Sequence, residues 1–143
     1  MSQLAPVVLI VDDDEAVRRT LVQLVSSRGY KVVEACDGDE AWAVLQTEPL
    51  DIVISDLQMP NCDGRELVQR IRDDAAFCDM RVVIISGSPN IPDRETLRCD
   101  NVLTKPIDLA SLVSEIERAR TCVAGREAVR VASAGALGER PPR

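Results

Sequence analysis

Short apolar runs alternate along this chain with segments whose apolar residues recur at helical spacing. The apolar runs occupy residues 7–11, 31–35, 52–54, 81–85 and 102–103. Runs of this length that are rich in β-branched residues are typical of strands buried on both faces. Strands that alternate with helices form a parallel sheet covered by helices on both sides. The sequence therefore predicts an α/β fold with a doubly wound, five-stranded parallel sheet.

The segments between these runs carry the start and stop signals of helices. Asp14 can cap a helix over about 15–28 that Gly29 ends in a left-handed conformation, and Asp63 with Glu66 forms a capping box. Asp37-Gly38 is interpreted as a turn before a short second helix. We expect the five helices over about 15–28, 41–45, 63–73, 93–98 and 108–122, the fourth being weak.

The chain lacks histidine, and its cysteines form no metal motif. The five cysteines, at positions 36, 62, 78, 99 and 122, include no Cys-x-x-Cys pair. The sequence therefore argues against a zinc site and excludes histidine-based catalysis, and the scattered thiols are expected to be reduced.

The charge distribution argues against a nucleic-acid partner. The net charge is −7, and residues 125–143 carry four arginines against two glutamates, so the first 124 residues are more acidic still. Aromatic residues make up only 2% of the chain. Nucleic-acid binding would require a basic stripe or stacking aromatics.

Length and hydropathy predict one cytoplasmic domain. A chain of 143 residues suits a single core, which we assign to residues 1–124. Residues 125–143 lack large apolar side chains apart from isolated positions, and we expect a disordered tail there. No apolar run approaches the roughly 20 residues of a membrane span, and no signal peptide is evident at the start. We therefore expect a cytoplasmic protein with no membrane partner.

Polar residues follow four of the predicted strands. Asp12 and Asp13 follow the first strand, Asp56 the third, Ser86 the fourth and Lys105 the fifth. Because parallel strands end at one edge of the sheet, these groups should converge there. The simpler interpretation is that acidic residues only end strands or cap helices. It accounts for Asp14 and Glu15, but it accounts less well for Asp12 and Asp13, which precede the helix.

Three converging carboxylates would repel one another unless a cation lay among them. Oxygen ligands without histidine or clustered cysteine favour Mg2+, which in turn favours phosphate oxygens. Lys105 and the Ser86 hydroxyl could bind the remaining oxygens of a phosphoryl group. Lysine occurs only at positions 31 and 105, against fifteen arginines. A carboxylate is the plausible acceptor, which would give an aspartyl phosphate.

Four motifs carry a family resemblance over roughly residues 6–122: LIVDDDEAVRR, VISDLQMPNCDG, VVIISGS and LTKPID. Found together and in this order, they resemble the receiver domain of two-component response regulators, in particular a stand-alone, chemotaxis-regulator-like receiver. The resemblance implies a flavodoxin-like sheet of strand order 2-1-3-4-5. It also implies a phosphorylation-dependent switch that assists only its own phosphorylation and dephosphorylation and is not otherwise an enzyme.

The resemblance assigns residue roles at the phosphorylation site. Asp56 is the phosphoacceptor, receiving the group from a sensor histidine kinase or a histidine phosphotransfer protein. Asp13 and Asp56 would bind Mg2+ directly, together with the backbone carbonyl of Gln58, and Asp12 would help through water.

The resemblance also implies that Lys105 and Ser86 bind the phosphoryl group. Through them, phosphorylation would change the surface that a downstream protein target recognises. Lys105 would bind a phosphoryl oxygen, and its peptide bond to Pro106 would be cis. Ser86 would move inward to the phosphoryl group.

Two features depart from the family pattern and leave the output open. Val102 occupies the position of the usual switch aromatic, and the interval from Ser86 to Lys105 is a few residues short. We therefore hypothesise an atypical output face.

Alternative functions within the family are a phosphate sink or relay and a receiver cut from a hybrid kinase or other longer chain. A scaffold-only pseudo-receiver conflicts with the complete set of acidic residues and lysine. In a different class, an aspartyl-nucleophile phosphatase would carry an aspartate where this chain has Gln58.

Overall fold

A computed structural model describes residues 6–119 as five strands and five helices. The strands are β1 Val7–Val11, β2 Lys31–Ala35, β3 Ile52–Asp56, β4 Arg81–Ser86 and β5 Asn101–Thr104. The helices are α1 Glu15–Ser26, α2 Gly38–Thr47, α3 Gly64–Asp73, α4 Arg94–Leu97 and α5, which covers residues 109–119. The predicted tail over 125–143 and the predicted end of the last helix near residue 122 lie outside the described residues.

The five strands form one parallel sheet of order β2-β1-β3-β4-β5, which confirms the predicted topology. β2 lies at an edge, whereas β1, β3 and β4 are central and almost entirely buried. The strand order reverses direction between β1 and β3, and a reversal of this kind opens a crevice at the carboxyl ends of the strands. In the β1–β3 ladder Val11 lies opposite Ser55, so Asp12 and Asp56 follow side by side.

The core has two layers, one on each face of the sheet. Alternate strand residues point to opposite faces, which is why the central strands are apolar throughout. The first layer packs β1, β3 and β4 against α2, α3 and α4, through residues that include Leu9, Val53, Ile84, Leu45, Leu67, Ile71 and Leu97. The second packs the same strands against α1 and α5, through residues that include Ile10, Ile54, Val83, Leu21, Val25, Leu112 and Ile116.

The predicted caps are confirmed, and one helix begins earlier than predicted. Asp14 accepts hydrogen bonds from the N–H groups of Ala16 and Val17, and Asp63 and Glu66 form the reciprocal capping box. Gly29 adopts φ +89° just after α1.

The sequence interpretation of Asp37-Gly38 as a turn was wrong. Asp37 instead accepts a hydrogen bond from Glu40 N–H at 2.8 Å and caps a ten-residue α2. A turn-forming aspartate and an N-cap aspartate use the same side-chain contact, so the local sequence could not separate them. Among residues 6–119, no helix has the length and apolar character needed to cross a membrane.

Gly64 allows α3 to begin directly against the end of β3. A Cβ at this position would lie 2.4 Å from the Asp56 carbonyl oxygen and 2.9 Å from the Leu57 Cα. Both neighbours are backbone atoms, so neither can rotate away. The Gly64 N–H also donates to the Leu57 carbonyl at 2.8 Å. The absence of a side chain at residue 64 therefore sets how closely α3 packs against the segment that carries Asp56.

We expect Gly64→Ala to lower the free energy of unfolding by about 2 kcal/mol, within the usual range for overpacking. Urea unfolding followed by circular dichroism would measure it. Gly87→Ala is the matched control, because its added Cβ would meet only the Lys105 side chain at ordinary contact distance, 3.7 Å. Equal losses in the two variants would contradict the packing role of Gly64.

Candidate functional site

Three carboxylates meet at the carboxyl edge of the sheet. Asp12 and Asp13 directly follow β1, and Asp56 is the last residue of β3. One carboxylate oxygen from each of the three lies within 4.8 Å of the others. Asp12 is buried, Asp13 is exposed, and the Asp56 side chain is only 12% exposed. The cluster is therefore a half-buried acidic crevice that opens to solvent on the side of Asp13.

Lys105 is the cation of this crevice. Its Nζ lies 3.5 Å from Asp56 Oδ1 and 3.6 Å from Asp12 Oδ2. Its main-chain N–H donates to the Ser86 carbonyl at 2.9 Å, directly after the β4–β5 ladder ends. The peptide bond between Lys105 and Pro106 is cis, as the family resemblance implies.

Backbone N–H groups complete the contacts of the Asp12 and Asp56 carboxylates. Asp12 Oδ1 accepts from Asp14 N–H at 2.9 Å, and Asp56 Oδ1 accepts from Leu57 N–H at 3.0 Å. The same Leu57 N–H also donates to the Ile85 carbonyl of β4 at 2.9 Å. These contacts fix the orientation of both carboxylates before any ligand arrives.

The surroundings of Asp56 disfavour its ionised form. Burial raises the pKa of this carboxyl above its ordinary value, and the neighbouring Asp12 charge raises it further. Lys105 and the Leu57 N–H act in the opposite direction but do not cancel the rise. A single ammonium is thus insufficient to balance the crowded carboxylates.

The donor set of the crevice fits Mg2+. All three side chains offer hard carboxylate oxygens, and Asp13 keeps one side open for the water molecules that Mg2+ retains. Taken together, three carboxylates and one ammonium have a formal charge of −2, which a divalent cation would neutralise. Gln58 lies in the exposed loop two residues after Asp56, and coordination by its carbonyl stays a prediction.

Ser86 is joined to the crevice through main-chain contacts. It is the last residue of β4, it is 2% exposed, and its carbonyl accepts the Lys105 N–H. Its Oγ accepts a hydrogen bond from Ser88 N–H at 3.1 Å, which leaves the hydroxyl proton available for donation. The predicted movement of Ser86 toward a phosphoryl group stays a prediction.

Sequence reasoning did not identify two residues that hold the backbone of this site. Arg18 of α1 donates from Nη1 to the Asp12 carbonyl at 2.9 Å, and the buried Ser55 donates from Oγ to the Asp56 carbonyl at 2.8 Å. Arg18 stands beside Arg19 in the sequence, and the sequence pattern does not indicate which of the two turns back toward β1.

Val102, which replaces the usual switch aromatic, lies on β5 and is half-buried. It packs against the core layer on the α2, α3 and α4 side of the sheet. The position is therefore filled by a small β-branched side chain whose χ1 rotation is restricted and which has no ring to rotate.

Because the pKa of Asp56 is raised in the folded protein, its ionised form costs stability near neutral pH. We expect Asp56→Asn to raise the melting temperature by several degrees in metal-free buffer near neutral pH. The gain should shrink as the pH falls through the raised pKa and vanish below the ordinary carboxyl pKa, where both states are protonated. Differential scanning calorimetry across this range would measure it.

Asp79→Asn makes the same chemical change at an exposed position in the loop before β4 and is the control. A gain for Asp56→Asn that is independent of pH, or one matched by Asp79→Asn, would contradict the electrostatic cause.

Comparison with known proteins gives a family match. A family model, "Response regulator receiver domain", matches residues 8–117. The chain is 35% identical over 114 residues to the response regulator receiver protein CpdR of Brucella abortus (strain 2308), covering 78% of this chain and 93% of that protein. It is 37% identical over 112 residues to the probable transcriptional regulator ycf27 of Guillardia theta, covering 76% of this chain but only 43% of that relative.

Among solved structures, a putative response regulator from Chloroflexus aurantiacus J-10-fl superimposes with a TM-score of 0.75 at 25% identity, covering 81% of this chain and 98% of that one. The family match spans most of the chain, and the solved structure shares its fold. The chain therefore belongs to the response regulator receiver domain family, the signalling modules of two-component systems.

Proposed function

We propose that this receiver is a phosphorylation-dependent switch in which Asp56 accepts a phosphoryl group from a sensor histidine kinase or a histidine phosphotransfer protein. The phosphorylated form would then signal by contact with a downstream protein. The observation that carries the proposal is the convergence of the Asp12, Asp13 and Asp56 carboxylates within 4.8 Å, with Lys105 3.5 Å from Asp56.

In the proposed step, a carboxylate oxygen of Asp56 attacks phosphorus while the P–N bond to the donor histidine breaks. The bonding electron pair leaves with the imidazole nitrogen, and an aspartyl phosphate remains on this chain. An ionised carboxylate needs no base to remove a proton, so the absence of histidine is no obstacle. The receiver then contributes mainly by positioning groups and neutralising charge.

The remaining residues of the crevice would balance the charge of the incoming group. Asp12, Asp13, Asp56 and the Gln58 carbonyl would hold Mg2+, which when bound neutralises carboxylate and phosphoryl charge. Lys105 already contacts Asp56 Oδ1 and could pass from that oxygen to a phosphoryl oxygen with little movement. Ser86 would donate its hydroxyl proton to another phosphoryl oxygen.

The proposed route of the signal begins at the main-chain hydrogen bond between Lys105 and Ser86. If both side chains move toward the phosphoryl group, the segment that joins them, residues 87–104, must adjust. This segment contains the single-turn α4 and Val102 in place of a switch aromatic. We therefore propose that the output face is atypical and does not depend on rotation of a ring.

The first test is covalent labelling. With Mg2+ and radiolabelled acetyl phosphate, we expect one phosphoryl group per chain, lost in Asp56→Asn, strongly reduced by EDTA and retained in the exposed control Asp79→Asn. A panel of purified histidine kinases would then identify the donor. Label that persists in Asp56→Asn would refute the acceptor assignment, and steady turnover of a small phosphomonoester would favour a phosphatase instead.

The second test separates phosphorylation from conformational response. We expect Lys105→Ala to accept a label on Asp56 but to lose the change in amide exchange that beryllofluoride, a phosphoryl mimic, should cause in residues 87–104 of the wild type. Lys31→Ala removes the other lysine, which is exposed on the edge strand β2, and should respond like the wild type.

Hydrogen exchange monitored by mass spectrometry would measure the response in all three proteins. A normal response in Lys105→Ala would contradict its coupling role. Equal protection of residues 87–104 in the wild type with and without the mimic would refute signalling through this face.

A further inference from the structure

We propose that Arg18 is a positioning residue that orients the Asp12–Asp13 peptide and so presents the acidic cluster to Mg2+, with Glu34 compensating its charge. This inference rests on the proposed function, because it assumes that the cluster holds the metal. It adds two residues that lie outside the cluster and that touch neither the metal nor the phosphoryl group.

The guanidinium of Arg18 joins three neighbouring elements. Its Nη1 donates to the Asp12 carbonyl at 2.9 Å, and its Nε donates to Glu34 Oε1 of β2 at 2.9 Å. The Arg18 side chain is 14% exposed although it starts from a surface helix. The hydrogen bond with Glu34 raises the pKa of Arg18 above its ordinary value, so the guanidinium is charged at all pH values at which the protein is studied. Arg18 therefore ties α1 to the end of β1 and to the edge strand.

The Asp12 main chain is held on both sides where the strand ladder stops. Its N–H donates to the Ala35 carbonyl of β2 at 3.2 Å, and its C=O accepts from Arg18. Because a peptide group is planar, fixing the Asp12 carbonyl also fixes the nitrogen and Cα of Asp13. The Asp13 side chain is exposed, so packing of its own side chain cannot set its direction. Asp13 is therefore oriented by the contact of Arg18 with the adjoining peptide group and not by burial of its own side chain.

Glu34 explains how a positively charged arginine can lie next to a site that binds a cation. An uncompensated guanidinium this close to the cluster would repel a divalent cation. The ion pair with Glu34 leaves the Arg18–Glu34 unit formally neutral while Nη1 remains a donor to the Asp12 carbonyl. The pair can thus orient the backbone at little electrostatic cost to metal binding.

A positioning role and a purely electrostatic role of Arg18 predict opposite changes in Mg2+ affinity when this residue is replaced. Removal of a positive charge near the cluster would by itself tighten Mg2+ binding. Loss of the donor that orients the peptide would weaken Mg2+ binding, since groups that orient metal ligands typically contribute about 10-fold to 100-fold in affinity. The sign of the change therefore decides between the two roles.

The experiment measures Mg2+ affinity of the full chain by isothermal titration calorimetry. Arg18→Met keeps most of the aliphatic stem, and we expect its dissociation constant to rise about tenfold, the lower end of the range stated above. Arg19→Met removes the same charge from the next residue of α1, where the side chain is 68% exposed and pairs with Glu15. Its dissociation constant should stay within about twofold of the wild type.

A kinetic readout separates positioning from general damage. In phosphorylation by acetyl phosphate, the Mg2+ concentration for half-maximal rate should rise in Arg18→Met while the rate at saturating Mg2+ stays close to the wild type. Arg18→Lys retains a donor without the planar fork and should fall between the two proteins. Circular dichroism in metal-free buffer checks that the variants are folded. If Arg18→Met does not fold, the comparison of Arg18→Lys with the wild type provides the test.

Unchanged or tighter Mg2+ binding in Arg18→Met and Arg18→Lys would overturn the inference and leave the proposed function intact. Equal weakening in Arg18→Met and Arg19→Met would also overturn it, because the exposed Arg19 does not contact Asp12. Failure of the wild type to bind Mg2+ would overturn the proposed function and this inference together.

Discussion

The structure depends on holding like charges together at the end of a parallel ladder. The β1–β3 register places Val11 opposite Ser55. The next residues, Asp12 and Asp56, are therefore adjacent despite the repulsion between their carboxylates. Burial and mutual repulsion raise the pKa of Asp56, and Lys105 offsets only part of this cost. The free energy of the two apolar core layers keeps the carboxylates in place. A site that remains under-compensated in this way is well suited to bind a divalent cation.

The backbone contacts around the crevice show how the fold limits the freedom of these side chains. Gly64 lets α3 pack against the Asp56 carbonyl, Ser55 donates to the same carbonyl, and Arg18 holds the carbonyl of Asp12. Each acts on the main chain and leaves the carboxylate oxygens to face the crevice. Asp56 and its neighbours therefore need little reorganisation when a ligand binds, which is how a preorganised site lowers the cost of binding.

The fold and the acidic cluster could be predicted from the sequence because both follow from the positions of apolar runs. Once five strands alternate with helices, the polar residue after each run must lie at one edge, so Asp12, Asp56 and Lys105 were placed correctly. The start of α2 could not be predicted, since Asp37 makes the same local contact in a turn as in a cap.

The role of Arg18 could not be predicted either. It depends on a contact with the edge strand that the neighbouring Arg19, exposed on the same helix, does not make.

The short α4 lies in the segment where a structural response to the proposed phosphorylation can be accommodated. A single helical turn is not stable by itself, so residues 94–97 depend on the burial of Leu97 and on contacts made by other elements. Arg72 of α3 donates from Nε to the Arg98 carbonyl at 2.7 Å and pairs through Nη2 with Asp100. These contacts tie the carboxyl end of α4 and the start of β5 to α3. A displacement that begins at Ser86 would therefore fall on residues 87–93, the part of the connection that precedes these contacts.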